Sequence, residues 1–309
     1  MTLPMTNDPK TQTNQNLTRR QFLSSTAGAV MSCGVIGGAV SPLLLGEADK
    51  GIELGVHHYS VRSLMSSGEL TLAQFPRFAR ERLGVSHIEI AEELATDLRR
   101  RPESIAELRS AAEQVDVGIH TLLCSAETSL DADSEADRER AVEHHLAWAR
   151  IARDLGCKFL RVRAGSPGDP SVRLEKAVAG IRRLCDQIEP GMPRVLIENV
   201  GGFSRRPDWL LSLVSQVGKS RCGVLADYGN FEGDIYEGMK RLLPTAESLC
   251  TKSWEFDQAG NETKIDFARM GRLIAESKFR GVIAIEWLGK SIGPVEGIRQ
   301  TAALIRKHL

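Results

Sequence analysis

RVLIENVGGFSRRPDWLLSLVSQVGKSRCGVLAD, residues 194–227, decides the fold. A β-type apolar run, Arg194 to Val200, leads into a helical stretch, Pro207 to Val217. Gly218 stops that helix, and a second apolar run follows from Cys222 to Asp227. Each run carries a carboxylate where its apolar residues stop, Val195-Leu196-Ile197-Glu198 in one and Val224-Leu225-Ala226-Asp227 in the other. A short apolar run, a helix and a second short apolar run make one β-α-β unit.

The same unit repeats in both directions. Upstream runs span Ile52–Tyr59, Ser86–Ala91, Val117–Leu123 and Lys158–Val162; downstream runs span Ser248–Trp254 and Gly281–Trp287. The spacing predicts helices over Thr71–Leu83, Glu103–Val115, Ser134–Leu155, Ser171–Ile188, Tyr236–Leu243, Asp266–Ser277 and Gly293–Leu309. Gly84, Gly156, Gly218 and Gly281 fall between a helix and the next strand, where such loops favour glycine. Eight units of about 32 residues predict a single-domain α/β fold, a (β/α)8 TIM barrel over residues 49–309. A doubly wound sheet is the alternative. Neither GxGxxG nor GxxxxGK[ST] occurs to support its usual nucleotide reading.

Composition narrows the function classes. Of 309 residues, 42% are hydrophobic and 26% charged, with 40 Lys plus Arg against 40 Asp plus Glu. These are globular proportions, and a zero net charge offers nucleic acid no electrostatic footprint. The N-terminus differs from the rest. Residues 1–17 are polar, Thr18-Arg19-Arg20-Gln21-Phe22-Leu23 carries a twin arginine, and Leu23 to Leu45 has no charge. This reads as a twin-arginine export signal over residues 1–48, with small residues around Ala48 for cleavage and a periplasmic or extracytoplasmic address. A membrane anchor is the competing reading, since the stretch is long enough to span a bilayer. Its Gly, Ala and Ser content favours the signal, so no permanent anchor is expected. The six cysteines, Cys33, Cys124, Cys157, Cys185, Cys222 and Cys250, form no CxxC pair.

Active sites of such barrels lie at the C-terminal ends of the strands. The residues there are His57 on the first run, His120 on the third, Arg161 and Arg163 on the fourth, and Glu198 on the fifth. Asp227 ends the sixth, Lys252 and Trp254 the seventh, and Glu286 and Trp287 the eighth. Val282-Ile283-Ala284-Ile285-Glu286 repeats the design of an apolar run ending in a carboxylate. Three carboxylates converging in a dry mouth need a cation, and a divalent ion such as Mg²⁺ or Mn²⁺ is the economical one. His57, His120 and Arg163 are candidates for hydrogen bonds to substrate hydroxyls or a carboxylate. Trp254 and Trp287 are candidates for stacking on a sugar face, with packing under the loops the competing role. Segments 129–140 and 163–171 read as mouth loops, either of them a candidate lid.

Over residues 52–307 the pattern resembles the xylose-isomerase-like sugar isomerase and epimerase barrels, a group that includes the endonuclease IV type. Gly55-Val56-His57-His58-Tyr59-Ser60-Val61-Arg62 resembles the family's opening strand. Ile197-Glu198-Asn199, Asp227-Tyr228-Gly229-Asn230 and Ile285-Glu286 resemble its metal-ligand strand ends. The resemblance implies one divalent ion held by Glu198, Asp227, a histidine and Glu286, with the two glutamates exchanging a proton beside a carbonyl. The family's usual His-x-Lys appears here as Cys250-Thr251-Lys252, so Cys250 takes the histidine's place and the lysine is kept. Three readings of this departure stay open. Cys250 is a small filler beside a metal (Mn, Mg or Zn); Lys252 supplies the positive charge and no metal binds; or Cys250 is a thiolate ligand, which suits Zn²⁺.

The function expected from these residues is a keto-sugar isomerase or epimerase, with Glu198, Glu286 and Lys252 catalytic. A lyase or dehydratase on a keto-sugar or cyclitol, and a non-catalytic exported sugar-binding barrel, are the alternatives. The expected partner is a small sugar, not nucleic acid, and a homo-oligomer is open.

Overall fold

Apolar runs that are buried along their length require helices on one side and a filled lumen on the other, and the chain closes on itself to provide both. The computed structural model describes residues 51–309; the segment read as an export signal, residues 1–48, and Cys33 in it lie outside the described residues. The strands are β1 (Ile52–His57), β2 (His87–Ala91), β3 (Gly118–Leu123), β4 (Phe159–Val162), β5 (Arg194–Glu198), β6 (Cys222–Asp227), β7 (Ala246–Ser253) and β8 (Gly281–Trp287). They form a closed barrel in sequence order, every neighbouring pair parallel and β8 returning to β1. The fold is therefore a single (β/α)8 TIM barrel.

The helices are α1 (Arg62–Ser66), α2 (Phe75–Phe78), α3 (Asp97–Arg100), α4 (Glu103–Gln114), α5 (Glu135–Leu155), α6 (Pro170–Asp186), α7 (Pro207–Val217), α8 (Ile235–Leu242), α9 (Phe267–Ser277) and α10 (Pro294–His308). Helix starts follow local chemistry. Ser134, Asp169, Asp234 and Asp266 each accept backbone N–H groups of the first turn through the side chain. At the end of α5, Gly156 takes a left-handed conformation and returns its N–H to Ala152 and Arg153. The helix expected over Thr71–Leu83 is shorter. Pro76 has no N–H to give and sits in the first turn of α2, after which Ala79–Leu83 forms a wide π turn. The short helices α1 and α3 have too few residues to show a period. Among the described residues, no helix is long and apolar enough to cross a membrane.

Alternation along the strands sorts their side chains. Val56, Ile88, Ile90, Leu122, Leu160, Val195, Ile197, Val224, Ile283 and Ile285 belong to the core shared with the helices. Ala91, Leu123, Phe159, Leu196, Leu225 and Cys250 form a second apolar cluster that fills the lumen. Polar residues crown that lumen filling, because the residue two places after Phe159, Leu196, Leu225 or Cys250 points the same way. Those residues are Arg161, Glu198, Asp227 and Lys252.

Close packing leaves α6 no spare space at one point. A methyl group on Gly180 would lie 1.9 Å from the Leu130 carbonyl oxygen. Gly180→Ala is therefore expected to lower stability by about 1–3 kcal/mol, as overpacking of a tight interior does. Gly293→Ala, where nothing lies within 4 Å of the added carbon, is the control. Urea unfolding of both variants checks this.

Candidate active site

Each carboxylate at the mouth reaches its place by strand parity and is then held by a cation of the same chain. Asp227, the last residue of β6, is wholly buried. Its Oδ1 accepts the Gly229 N–H at 2.7 Å; its Oδ2 accepts Lys252 Nζ at 2.6 Å and Asn230 Nδ2 at 2.9 Å. Its backbone is clamped as well. Asn199 donates to the Asp227 carbonyl at 2.9 Å and accepts the Asp227 N–H at 2.7 Å. Asn199 follows β5 directly, and this clamp turns the chain out of the strand earlier than Val200.

Lys252 also donates to Glu286 Oε2, so one ammonium bridges the carboxylates of β6 and β8. Register places them together: Asp227 pairs with Cys250 on β7, and Lys252 pairs with Glu286 on β8. Burial acts to lower the Lys252 ammonium, but the charges of Asp227 and Glu286 outweigh it and hold it well above its ordinary value. Burial pushes the Asp227 carboxyl up, against the opposing pull of Lys252.

Glu198, at the end of β5, meets a different cation. Arg161 Nε lies 2.9 Å from Glu198 Oε2, and both side chains are buried. Arg161 is fixed from behind, its Nη1 donating at 3.1 Å to the Cys124 carbonyl and to Ser125 Oγ. Asn230 Nδ2 reaches Glu198 Oε1 at 3.4 Å. Arg161 was legible as an inward-facing residue of β4, but its partnership with Glu198 crosses two strands and leaves no local signal.

Of the other residues singled out from the sequence, His57 joins the mouth. It is buried beside Lys252, and burial first, then Lys252, holds its imidazole well below the ordinary value and so neutral. Its Nδ1 accepts the Tyr59 N–H at 3.2 Å, which leaves Nε2 as the donor and ends β1. Trp254 packs at the same rim, its ring edge 3.1 Å from the position a Gly229 Cβ would take, with Lys264 Nζ 4.6 Å from the ring centroid. Arg163 is exposed and lines a cavity of about 290 Å³ with Ser125, Ser129, Ser166 and Gly201. That cavity lies beside the carboxylates, which are not in its lining.

His120 and Trp287 do not join the mouth. His120 sits toward the opposite end of the barrel, edge-on to Phe159 and to His87, the first residue of β2. The β2–β3 register shifts between Ile88 and Glu89, which moves His120 off the track that simple alternation assigns it. Burial pulls its imidazole down to about 3. Trp287 is the outward neighbour of the inward Glu286. Its ring stacks on Phe256 at 5.5 Å and lies against Gly297 of α10, so it packs beneath the helix layer. The two mouth loops are tied together by buried Asp131, whose carboxylate accepts the Gly165 and Ser166 N–H groups at 3.0 and 2.7 Å and Ser166 Oγ at 2.7 Å.

Two groups of side chains bring metal-type ligand atoms within 4.8 Å of one another. The first, Glu92, Cys124 and His144, is satisfied internally. Glu92 accepts Cys124 Sγ at 3.0 Å, meets His144 Nε2 at 2.9 Å and accepts the Ser125 N–H at 2.8 Å. The second is Asp227, Cys250 and Glu286. Cys250 belongs to the apolar lumen cluster, burial pushes its thiol well up, and its Sγ stands 3.9 Å from Glu286 Oε2. With Lys252 on both carboxylates and Glu198 turned to Arg161, this donor set does not fit a single divalent ion.

Glu89 lies fully buried in the lumen, paired in register with Thr121. Burial pushes its carboxyl up to about 8, so it is largely neutral at pH 7. An acid whose folded value is raised binds a proton that the unfolded chain has released. Its effect is therefore a loss of stability that grows from the unfolded value of 4.5 toward 8. Relative to Glu89→Gln, the parent is expected to be less stable at pH 8 than at pH 5, as measured by urea unfolding at both pH values. A second expectation concerns charge pairing. Arg161→Met leaves Glu198 buried without its cation and is expected to cost about 3–5 kcal/mol, most of it recovered when Glu198→Gln is added. A double-mutant cycle by urea unfolding checks this.

No curated protein matches the chain. Among solved structures, D-psicose 3-epimerase from Clostridium cellulolyticum H10, solved with D-tagatose, superposes with a TM-score of 0.65 at 16% identity, covering 83% of this chain and 99% of its own. A probable 3-DHS dehydratase from Bacillus anthracis superposes with a TM-score of 0.65 at 16% identity, covering 81% and 98%. The IOLI protein, solved with a binding zinc atom, superposes with a TM-score of 0.65 at 15% identity, covering 83% and 99%. At these identities the likeness is one of fold. The family model described as xylose isomerase-like TIM barrel matches residues 77–308, so the chain belongs to that family.

Proposed function

We propose that this barrel is an isomerase or epimerase of a keto-sugar, working by proton transfer next to a carbonyl. The observation that carries the reading is the pair of glutamates at the ends of β5 and β8, each held by a buried cation at the mouth. The strands are three apart in a ring of eight, so the glutamates approach a bound carbon from different sides. Membership of the family and the epimerases among its structural neighbours support the substrate class.

The residues divide the work by their contacts. Glu286 Oε2 is engaged by Lys252, whereas Oε1 has no hydrogen-bond partner among the described residues and is open to a substrate proton. Removing a proton beside a carbonyl moves an electron pair onto the carbonyl oxygen, giving an enediolate. Lys252 has three N–H donors, of which Asp227 and Glu286 take two. The third is available to that oxygen, in a buried setting where a fixed cation acts most strongly. Glu198 returns a proton on the other side. His57, neutral and donating through Nε2, holds a hydroxyl, and Trp254 borders the sugar. The twin arginine at Arg19-Arg20 assigns the mature chain to the periplasm or another extracytoplasmic space. Arg19→Lys with Arg20→Lys is expected to stop its export, as read by cell fractionation.

The test is exchange of the substrate carbon-bound proton with solvent deuterium across a panel of keto-sugars, followed by NMR. Glu198→Gln and Glu286→Gln are each expected to lower the exchange rate by at least about 100-fold, the low end for loss of a general acid or base. Exchange accompanied by loss of water from the product would assign the lyase reading instead. Sugar binding without exchange would assign a non-catalytic barrel.

A further inference from the structure

We propose that the mouth carries its electrophile in the chain itself: the Lys252 ammonium stands where a divalent ion would join Asp227 and Glu286, and the site works without metal. The part that concerns chemistry rests on the proton-transfer reading above; the part that concerns metal does not. Four observations carry it.

First, both Asp227 oxygens and one of the two Glu286 oxygens are taken. Asp227 accepts from Gly229, Asn230 and Lys252, which occupies both of its oxygens, and Glu286 Oε2 accepts from Lys252. An ion on those oxygens would share them with an ammonium of like charge. Second, Glu198 faces Arg161, a guanidinium anchored behind by Cys124 and Ser125, so it is not free to swing to an ion. Third, the position where the resemblance implies a histidine is Cys250, one tier down among Leu196, Leu225 and Phe159. Fourth, the path of the lysine is built into the backbone. A Cβ on Gly229 would lie 2.6 Å from Lys252 Cδ and 3.1 Å from Trp254, so only glycine lets the lysine stem cross the turn after β6.

The chemistry balances without a co-reactant. The C–H bond beside the carbonyl breaks, its proton goes to a carboxylate and its electron pair to the carbonyl oxygen. The third Lys252 N–H donates to that oxygen. The pair then returns to carbon with a proton that the opposite carboxylate has taken up from water, the first carboxyl gives its proton back to water, and nothing is oxidised or reduced.

The experiment is metal analysis of the full chain purified without chelator, with thermal unfolding in EDTA and in added Mn²⁺ or Zn²⁺. The expected result is metal well below one ion per chain and the same unfolding temperature in all three conditions. A near-stoichiometric ion, or an Mn²⁺ or Zn²⁺ stabilisation that Asp227→Asn removes, overturns the proposal. A gain of function provides the second arm. Lys252→Ala combined with Cys250→His frees two carboxylates and supplies an imidazole. If it folds, judged by circular dichroism, it is expected to take up about one Mn²⁺ or Zn²⁺ per chain. A folded double variant that binds no ion overturns the claim that lysine stands in an ion's place.

Deuterium exchange in EDTA separates the two readings. Exchange unchanged by EDTA supports the proposal, and exchange that requires Mn²⁺ overturns it while leaving the proton-transfer reading intact. If no keto-sugar exchanges under any condition, the proton-transfer reading and the role given to Lys252 in it fall together. The metal-free site then stands or falls on the binding measurements.

Discussion

The mouth of this barrel depends on one ammonium. Lys252 lies between two buried carboxylates from the strands on either side of its own, and without it Asp227 and Glu286 would repel each other in a medium too dry to screen them. The closure of the barrel at β6, β7 and β8 therefore depends on charge as well as on backbone hydrogen bonds. Arg161 and Glu198 repeat the arrangement between β4 and β5. Three carboxylates thus face two fixed cations. The remaining negative charge is modest enough for the neutral His57 and the neutral Glu89 below to coexist with it.

Such a network is a costly way to build stability. Desolvating five ionic groups consumes much of what their attraction returns, and apolar residues of similar size would often be more stable. What the network does supply is position. Asp227 is held through its backbone by Asn199 and through its side chain by Gly229, Asn230 and Lys252, which leaves it little rotational freedom. Preorganised charge of this kind needs no rearrangement when charge develops on a substrate. The expense of the mouth is offset by the apolar cluster directly beneath it and by the continuous helix–sheet core outside.

The fold was legible in the sequence because its signals are local. Each strand is a short apolar run, and Ser134, Asp169, Asp234 and Asp266 announce helices within four residues of themselves. The carboxylates Glu198, Asp227 and Glu286 were legible for the same reason, as polar ends of apolar runs. The Arg161–Glu198 pair was not, because register sets that contact; Lys252 as the positive charge was one of three open readings, and its contacts with Asp227 and Glu286 are set by register too. Trp287 carried a signal that parity alone supplies: if Glu286 points inward, its neighbour points outward. His120 carried no such signal, since the register shift beside Glu89 belongs to the pairing of two strands. The short helices α1 and α3 fall below the length at which a period shows.

Cys250, at the position where the resemblance implies a histidine, and Lys252 two residues on are best read together. A histidine at position 250 would bring an imidazole toward oxygens already engaged by an ammonium, and a metal held there would oppose the lysine charge. With cysteine, the same position joins the apolar tier. Gly229 completes the set from the facing turn, since any larger residue would strike the Lys252 stem. Three positions, two on one strand and one on the neighbouring turn, are thus mutually consistent with a fixed organic cation. Consistency of this kind across packing, hydrogen bonding and charge is what distinguishes a built site from a chance salt bridge.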